Sequence, residues 1–569
     1  MKVLGLAAPF GHDASAALLI DGQVVAAVEE ERFTRKKHAY GQLPLNSIRF
    51  CLKEAGLKPS DIDYVAFPWS YNILREKGWE YFCEQIIGRP SQAYKKFFRH
   101  KKELRVQRNF VRQSLIETGF NPDTPVEWVE HQMAHAASAY YFSGVKEAIV
   151  MSIDNGGEIT CTLLGRVENG RIRKVMEVIS PHSLGAFYST VTDYLGFNRN
   201  DGEYKVMGMA PFGDAGRVDL NHLIDWVPRK NSYRCNYRYV WVSRARRYRM
   251  DKVYSKKMVE EFGPEREGDG LAEPYIHIAA ATQKKLEDLS VKLVETYLKD
   301  DLEKHGNLCF AGGCALNVAM NRVLLELPYV KRLWVQPSSH DAGGALGAAA
   351  AVAYQNGDEI PEMTHAYYGP EYSNEEIERD LQQWSYPYEK KNDICRTAAD
   401  LLAAGHVVAW FQGRMEWGPR ALGNRSILGN PTVKGTADKI NAIIKFRELW
   451  RPFCPSILKE HASLILDSDH EAPFMTIAFK TNPEWAAKMP EVVHIDGTMR
   501  PQIVDSGTNP RYHKLISLFC EKTGVPVVIN TSLNRRGEPM VCSPHDALVM
   551  FEGSGLEYLA IGDFLVRKQ

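Results

Sequence analysis

At 569 residues the chain exceeds what one ordinary hydrophobic core organises, so two or three domains are expected. A hydrophobic fraction of 44% beside 25% charged residues is ordinary globular composition. Lys+Arg and Asp+Glu both number 70, which removes net charge as a reason to expect nucleic acid or an anionic membrane as partner.

In chain order, "KVLGLAA" reads as a strand, "PFGHD" as a polar loop, "ASAALLI" as a second strand, Asp21-Gly22 as a turn and "QVVAAVEEE" as a third strand. Asp-Gly between two alternating apolar runs is the strongest short hairpin signal available. This start is a strand and loop rather than a secretion signal. The loop places His12, which titrates near neutrality when unperturbed, as the leading acid–base candidate, with a surface histidine as the alternative. "RFTRKKH" reads as a solvated charge run, with Lys37 as an optional contact to an acceptor or phosphate. Residues 71–125 read as basic helices inserted into the unit.

"EHQMAHAASAYYFSG" then places His131 and His135 four apart, on one helical face. The pair alone does not separate metal ligands from core histidines. "EAIVMSI", the loop "DNGGE", "ITCTLLGRV", the turn "ENG" and "RIRKVMEVI" repeat the opening pattern, so a duplicated α/β unit is expected, with a cleft of the actin and sugar-kinase type. The repeat puts Asp154 where the first copy has its His12 loop. With Asp341 in "SSHDAGG", a two-His, two-Asp set would suit iron, manganese or zinc. "AGGCALN" follows a strand and is expected to open a helix, where Gly312 and Gly313 would let backbone N–H groups approach phosphates; a tight turn is the alternative. The longest small-apolar run, "GGALGAAAAVAY", is too short to span a bilayer. Ten cysteines with no Cys-x-x-Cys pair point to a reducing, cytoplasmic setting.

A linker rich in Pro, Gly and Tyr ends near residue 373, dividing an expected first domain, 1–360, from a second, 373–569. The second holds the densest cationic signal: Arg414, Arg420, Arg425, Lys445, Arg447, Arg451 and Arg500. Several stand beside Trp, Pro or Phe, so partial burial with anionic partners is expected, either a phosphate or local acids such as Glu416 and Glu448. "INTSLN" offers Asn530, Thr531 and Ser532 as a polar turn after a strand, suited to an amide or phosphate.

The blocks "HDASAALLIDG", "EEERFTRKKH", "HQMAHAASAYYFSG", "EYKVMGMAPFG", "AGGCALN", "DAGGALGAAAA", "GPRALGNRSIL", "WRPFCPSIL" and "NTSLNRRGEP" together resemble the nodulation- and antibiotic-type O-carbamoyltransferases, in order over essentially the whole chain. The resemblance implies a duplicated actin-like, sugar-kinase-like ATPase fold, similar to the metal- and ATP-binding subunit of the tRNA threonylcarbamoyl machinery. An α/β domain similar to the threonylcarbamoyl-adenylate synthase follows. It implies carbamoyl phosphate and ATP as substrates, carbamoyl-adenylate as intermediate, and Fe2+ foremost among divalent metals, with Mn2+ or Zn2+ as substitutes and Mg2+ alongside. Carried over by position, His131, His135, Asp154 and Asp341 become metal ligands; Asp154, Gly185, Lys205, Gly313 and Asn317 nucleotide contacts. Arg420, Lys445, Arg451, Arg500, Asn530 and Ser532 become the carbamoyl phosphate pocket, His12 the general base and Lys37 an acceptor contact.

The implied partner is a small-molecule hydroxyl acceptor of natural-product type, without nucleic acid or membrane, and compatible with a homodimer. Just before His12 the chain reads "APFG", where aminoglycoside-acting relatives carry a longer, acidic loop, which weighs against an aminoglycoside. The rivals are a tRNA threonylcarbamoyl transferase, weakened by the second domain and zero net charge, and a non-catalytic actin-like nucleotide-binding protein, which has no use for the arginine-rich pocket.

Overall fold

The chain divides into two units, Met1–Val25 with Gly41–Glu362, and Ala26–Tyr40 with Met363–Gln569. The computed structural model describes residues 1–8, 11–70, 72–86, 89–448 and 450–568, without the side chains of 96, 99–104 and 443. Pro9 and Phe10 of the "APFG" stretch, and residue 71 at the expected start of the insertion, therefore lie outside the described residues.

The first unit holds two five-stranded sheets of identical order. Strands β1 (Lys2–Ala7), β2 (Ser15–Ile20), β3 (Gln23–Glu29), β4 (Tyr64–Phe67) and β5 (Val126–Trp128) lie in the order β3-β2-β1-β4-β5. Strands β6 (Ile149–Ile153), β7 (Thr160–Glu168) and β8 (Arg171–Ile179), a separate two-stranded ribbon β9 (Ile224–Val227) and β10 (Ser232–Cys235), and then β11 (Asn307–Ala311) and β12 (Arg332–Val335) follow; the second sheet runs β8-β7-β6-β11-β12. In each sheet the first strand pairs antiparallel with the second and parallel with the fourth. Both hairpin turns have positive φ at both central residues, Asp21 (48°) with Gly22 (78°) and Asn169 (52°) with Gly170 (72°). That is the type I′ geometry matching the twist of the strands it joins. The repeat is thus a duplicated actin-like, sugar-kinase-like α/β fold.

Each sheet is followed by a small-residue helix, His131–Tyr140 after β5 and Gly343–Gln355 after β12. A Cβ on Gly347 would sit 1.9 Å from the Ala134 carbonyl oxygen, so the helices cross with backbones touching. The alanine-rich composition of both runs follows from this approach, not from a membrane. No described helix is long and apolar enough to cross a bilayer. Between β4 and β5 stand helices Asn72–Ile86 and Pro90–Glu117, the expected inserted helices.

The second unit is mixed α/β. Its strands β13 (Tyr388–Lys390), β14 (Val408–Phe411), β15 (Arg425–Gly429), β16 (Cys454–Leu458), β19 (Gln502–Val504), β20 (Val527–Ser532), β21 (Tyr558–Ile561) and β22 (Phe564–Arg567) form one sheet in the order β13-β22-β21-β14-β15-β20-β16-β19, and β17 (Phe479–Lys480) pairs separately with β18 (Thr498–Met499). Residues 26–40, expected within the first domain, cluster with this unit, the last four residues of β3 among them. Arg32 is 3% exposed, paired with Glu29 at 3.2 Å and donating to the Gly418 carbonyl at 2.9 Å, while Arg35 donates to the Pro539 carbonyl at 2.8 Å. The run read as solvated charge is instead partly buried. Each desolvated charge has a carboxylate or carbonyl partner, without which burial would cost several kcal/mol (about 3–5 for a broken pair).

Candidate active site

The helix His131–Tyr140 turns its two histidines to the same side: His135 Nε2 lies 3.2 Å from His131 Nε2. Asp154, one residue beyond β6, brings Oδ2 to 3.3 Å from His131 Nε2. Asp341, in the loop between β12 and the Gly343–Gln355 helix, brings Oδ1 to 3.4 Å from His131 Nε2 and 3.5 Å from His135 Nε2. One ligand atom from each of the four residues lies within 4.8 Å of the others, and all four side chains are buried. Two imidazole nitrogens whose lone pairs face each other repel unless a proton or cation lies between them. The buried N2O2 donor set therefore fits a divalent transition ion.

The electrostatics agree with that fit. Burial opposes a charged His131, but the hydrogen bond to Asp154 and the charges of Asp341 and Asp154 outweigh it and raise the imidazole to about 9. Burial likewise opposes a charged Asp154, and its bond to His131 with the charges of both histidines holds it well below the usual carboxylate range. The cluster attracts positive charge, whether proton or metal.

His12 stands beside this cluster. Its Nδ1 is 3.0 Å from Asp13 Oδ2 and its Nε2 3.8 Å from Asp341 Oδ2. Burial acts to lower it, but the bond to Asp13 and the charge of Asp341 raise it to about 9. Asp341 thus faces the two helix histidines with one oxygen and His12 with the other.

Of the expected nucleotide contacts, Gly313 and Gly185 pack against Asp154 and its loop. The Gly313 N–H donates to Asp154 Oδ1 at 3.0 Å, and a Cβ on Gly313 would lie 2.7 Å from that oxygen. A Cβ on Gly185 would meet Asn155 N at 2.6 Å, so glycine is required where the helix Leu184–Tyr194 abuts the loop. The glycine loop after β11 opens a 3-10 turn, Gly313–Leu316, rather than the expected α-helix. The helix begins at Val318, capped by Asn317, whose Oδ1 accepts the Met320 N–H at 2.9 Å. Asn317 also exchanges amide hydrogen bonds with Gln283 at 2.9 Å. Lys205 Nζ lies 5.2 Å from the Phe197 ring centroid.

In the second unit, Lys445 Nζ donates to the Ser532 carbonyl and to Asn534 Oδ1 at 2.7 Å. Asn530 pairs with Cys454 across β20 and β16, and the Arg500 guanidinium donates to Cys454 Sγ at 2.8 and 3.0 Å. Asn530 Nδ2 donates to the carbonyl of Ala421, the residue after Arg420, at 3.2 Å. Arg451 lies 3.4 Å from buried Glu448. Lys37 is half-buried, and with Arg447 and Arg451 it is among the cations that, after burial, push Lys445 well below its ordinary value.

Two sequence expectations change. Asn530 and Ser532 are not in a turn after a strand but in β20 itself, paired with Leu428 and Ser426 of β15. Arg425 serves backbone rather than an anion: Nη1 donates to the Gln412, Gly413 and Asn424 carbonyls and Nη2 to that of Pro370, with its guanidinium 3.8 Å from the Phe411 ring centroid. Arg414 likewise donates to the carbonyls of Tyr368 and Gly369. Carbonyl oxygens satisfy buried cations without leaving any acidic signal in the sequence.

Sequence reasoning missed Asp13, Glu158 and Ser183. Glu158 accepts the backbone N–H groups of His131 (3.1 Å) and Ser70 (2.5 Å), and burial raises its carboxyl to about 7. Ser183 caps the Leu184–Tyr194 helix and donates to the Asn155 carbonyl at 2.8 Å, which fixes the Asp154 loop. The adjacent His-Asp pair and the acid closing "DNGGE" were the available signals; neither has a period that marks it.

Comparison with known proteins bears on both units. The families described as Carbamoyltransferase N-terminus and Carbamoyltransferase C-terminus match residues 2–350 and 399–568. The nodulation protein NolNO of Sinorhizobium fredii is 35% identical over 100% of this chain and 80% of its own. The 3'-hydroxymethylcephem-O-carbamoyltransferase of Streptomyces clavuligerus is 29% identical over 98% of each chain. Among solved structures, component A of the (R)-2-hydroxyglutaryl-CoA dehydratase of Acidaminococcus fermentans is 14% identical, spans 62% of this chain and 98% of its own, and has a TM-score of 0.33.

Proposed function

The chain belongs to the carbamoyltransferase family, and on that premise we propose that it makes carbamoyl-adenylate from carbamoyl phosphate and ATP and transfers the carbamoyl group to a hydroxyl of a small acceptor. Water converts carbamoyl phosphate to carbamate and phosphate among the cations of the second unit. A carbamate oxygen attacks the α-phosphorus of ATP, and pyrophosphate leaves. The acceptor hydroxyl then attacks the carbamoyl carbon, its proton passes to a base, and AMP departs.

The observation that carries the reading is the double engagement of Asp341, which places the ligand cluster and His12 on one carboxylate. A divalent ion held by His131, His135, Asp154 and Asp341 supplies positive charge for phosphate oxygens and for charge developing in transfer. Asp13 accepts the hydrogen bond of His12 Nδ1–H and so leaves Nε2 as the atom that takes the hydroxyl proton. At rest the nearby carboxylates keep His12 protonated; compensation of their charge frees Nε2 as a base at neutral pH. The proposed partner is a small hydroxylated natural product in a cytoplasmic setting, with neither nucleic acid nor membrane involved.

The protein supplied with ATP and carbamoyl phosphate, but no acceptor, is expected to release pyrophosphate and form an adenylate visible by mass spectrometry. No turnover with Fe2+, Mn2+, Zn2+ or Mg2+ overturns the reading. His12→Ala is expected to keep adenylate formation and lose transfer; loss of both steps removes its role as the transfer base.

A further inference from the structure

The balanced net charge hides a local excess. Residues 229–252 contain nine Lys and Arg against a single acid, Asp251. Several of these cations are neutralised within the fold. Arg234 pairs with Glu84 at 2.7 Å, Arg249 with Glu265 at 2.6 Å, and Lys252 with Glu265 at 2.9 Å. Arg244 and Arg247 are not, and two arginines from other segments, Arg89 and Arg199, join them. Among the described residues none of these four forms an ion pair with a carboxylate.

Arg89 and Arg247 are half-buried, whereas Arg199 and Arg244 stand exposed at their edge. Arg247 is half-buried, its Nη1 donates to the Met250 carbonyl at 3.3 Å, and its Nε is buried without a partner. Burial and the charges of Arg199 and Arg244 lower Arg247, while burial and Arg247 lower Arg89. The one acid that counters this at Arg247, Asp193, is already engaged by Lys252 at 3.3 Å and the Val253 N–H at 2.7 Å, so a bound anion would offset the remaining repulsion.

The group also has a defined place. The Arg89 guanidinium lies 4.8 Å from the ring centroid of Trp241, within cation–π range. Trp241 in turn covers Gly156, its Cη2 3.5 Å from where a Cβ there would sit. Gly156 is two residues from Asp154, in the loop that serves the ligand cluster. Trp241 has φ 52°, a left-handed backbone that a bulky residue rarely adopts, so the surrounding structure holds it there at a cost.

We propose that Arg89, Arg199, Arg244 and Arg247 form an anion-binding rim beside the Asp154 loop that holds a phosphate or carboxylate carried by the carbamoyl acceptor. This rests on the transferase reading above and adds the acceptor's chemical class: a hydroxyl compound bearing an anionic group. All four arginines lie outside the duplicated sheets, on the inserted helices and on connecting segments, whereas Asp154, Gly313 and Asp341 follow sheet strands. Additions of that kind vary the substrate while the common framework keeps the donor chemistry. Arg234, Arg249 and Lys252, which could extend the rim into a track for a nucleic-acid backbone, are already paired. Arg229, Lys230, Arg238 and Arg246 are exposed, and the half-buried pair Arg89 and Arg247, with Arg199 and Arg244 at its edge, is the part that fits one anionic group.

The test uses the full chain saturated with carbamoyl phosphate and a non-hydrolysable ATP analogue, so that other phosphate sites are filled. Glucose, glucose 6-phosphate and glucuronate are titrated by calorimetry. At least one charged sugar is expected to bind about tenfold or more tightly than glucose, with affinity falling as salt rises, and the stronger of the two identifies phosphate or carboxylate. Arg247→Ala and Arg89→Ala are expected to abolish that preference and Arg247→Lys to retain part of it, which separates charge from misfolding. Equal binding of all three sugars, or variants that keep the preference, overturns the proposal. So does loss of ATP-analogue binding in the arginine variants, which assigns the rim to the nucleotide, or displacement of the charged sugar by RNA at equal concentration. Absence of acceptor-independent pyrophosphate release removes the transferase reading alone, because sugar binding is measured without turnover.

Discussion

In the first unit, buried ionisable side chains meet one another: two imidazoles and two carboxylates converge, and one of the carboxylates also faces His12. In the second unit, the fully buried Arg425 gives its side-chain hydrogen bonds to carbonyl oxygens, and Lys445 is held by Ser532 and Asn534. Both arrangements satisfy buried charge, but they leave different things over. A carbonyl cage spends a cation's donors on the fold. A cluster of imidazoles and carboxylates keeps lone pairs pointed at a common point, where an added cation lowers the energy of every member. High cationic density is therefore a weaker pointer to a ligand than convergence of unlike ionisable groups.

The largest expected effect tests the converging cluster. His135→Ala is expected to lower bound metal, measured by elemental analysis, from about one ion per chain to near zero. Carbamoyl transfer is expected to fall on the order of a thousandfold with an unchanged circular dichroism spectrum. Unaltered metal content and activity would make the four residues a structural ion network, and the contrast between the units would collapse.

The next effect belongs to the carbonyl cage. Arg425→Met removes the donors of four backbone carbonyls and should cost about 3 kcal/mol of stability in chemical denaturation. Arg500→Ala, whose guanidinium is half-buried and bonded to a cysteine sulfur, should stay within about 1 kcal/mol and instead raise the KM for carbamoyl phosphate about tenfold or more. An Arg425 variant that keeps its stability and loses carbamoyl phosphate would reverse the two assignments.

The same contrast explains what could be read from the residues alone. The hairpins at Asp21-Gly22 and Asn169-Gly170 are local: two residues dictate the turn, and the alternation on either side dictates the strands. The spacing of His131 and His135 is local too, since one helical turn brings them together. Arg32 pairs with neighbouring Glu29, but Arg32, Arg35 and Arg425 also donate to carbonyls of distant or featureless stretches, which the run "RFTRKKH" does not announce. Asn530 and Ser532 looked like a turn because polar residues ending an apolar run resemble a loop; only pairing with Leu428, Ser426 and Cys454 makes them strand. The double engagement of Asp341 needs the β1 and β12 loops brought together by the duplicated fold, which no spacing encodes.

The smallest effect concerns a structural ion cluster inside the first unit, Glu84 with His182 and Arg234. Glu84 accepts a hydrogen bond from His182 Nε2 at 3.2 Å and lies 2.7 Å from Arg234 Nη1. His182 Nδ1 accepts the Cys235 N–H at 3.1 Å, so the ring is neutral with its proton on Nε2; burial, stronger than the pull of Glu84, lowers its pKa in keeping with that. The bond from His182, against burial and with help from Arg234, holds Glu84 at about 2 instead of its ordinary 4.5. A carboxyl whose folded value lies below its unfolded one contributes its full stability above about pH 4.5, and that contribution is lost as pH falls from there toward 2. The group is partly exposed, so solvent screening reduces the effect to about 1 kcal/mol. Glu84→Gln should therefore unfold at lower urea than the parent protein at pH 7, and the difference should shrink between pH 4.5 and 3. A gap that stays constant over that range would mean that packing of the Asn72–Ile86 helix, not the charge of Glu84, ties the insertion to the strand and helix around Asp154.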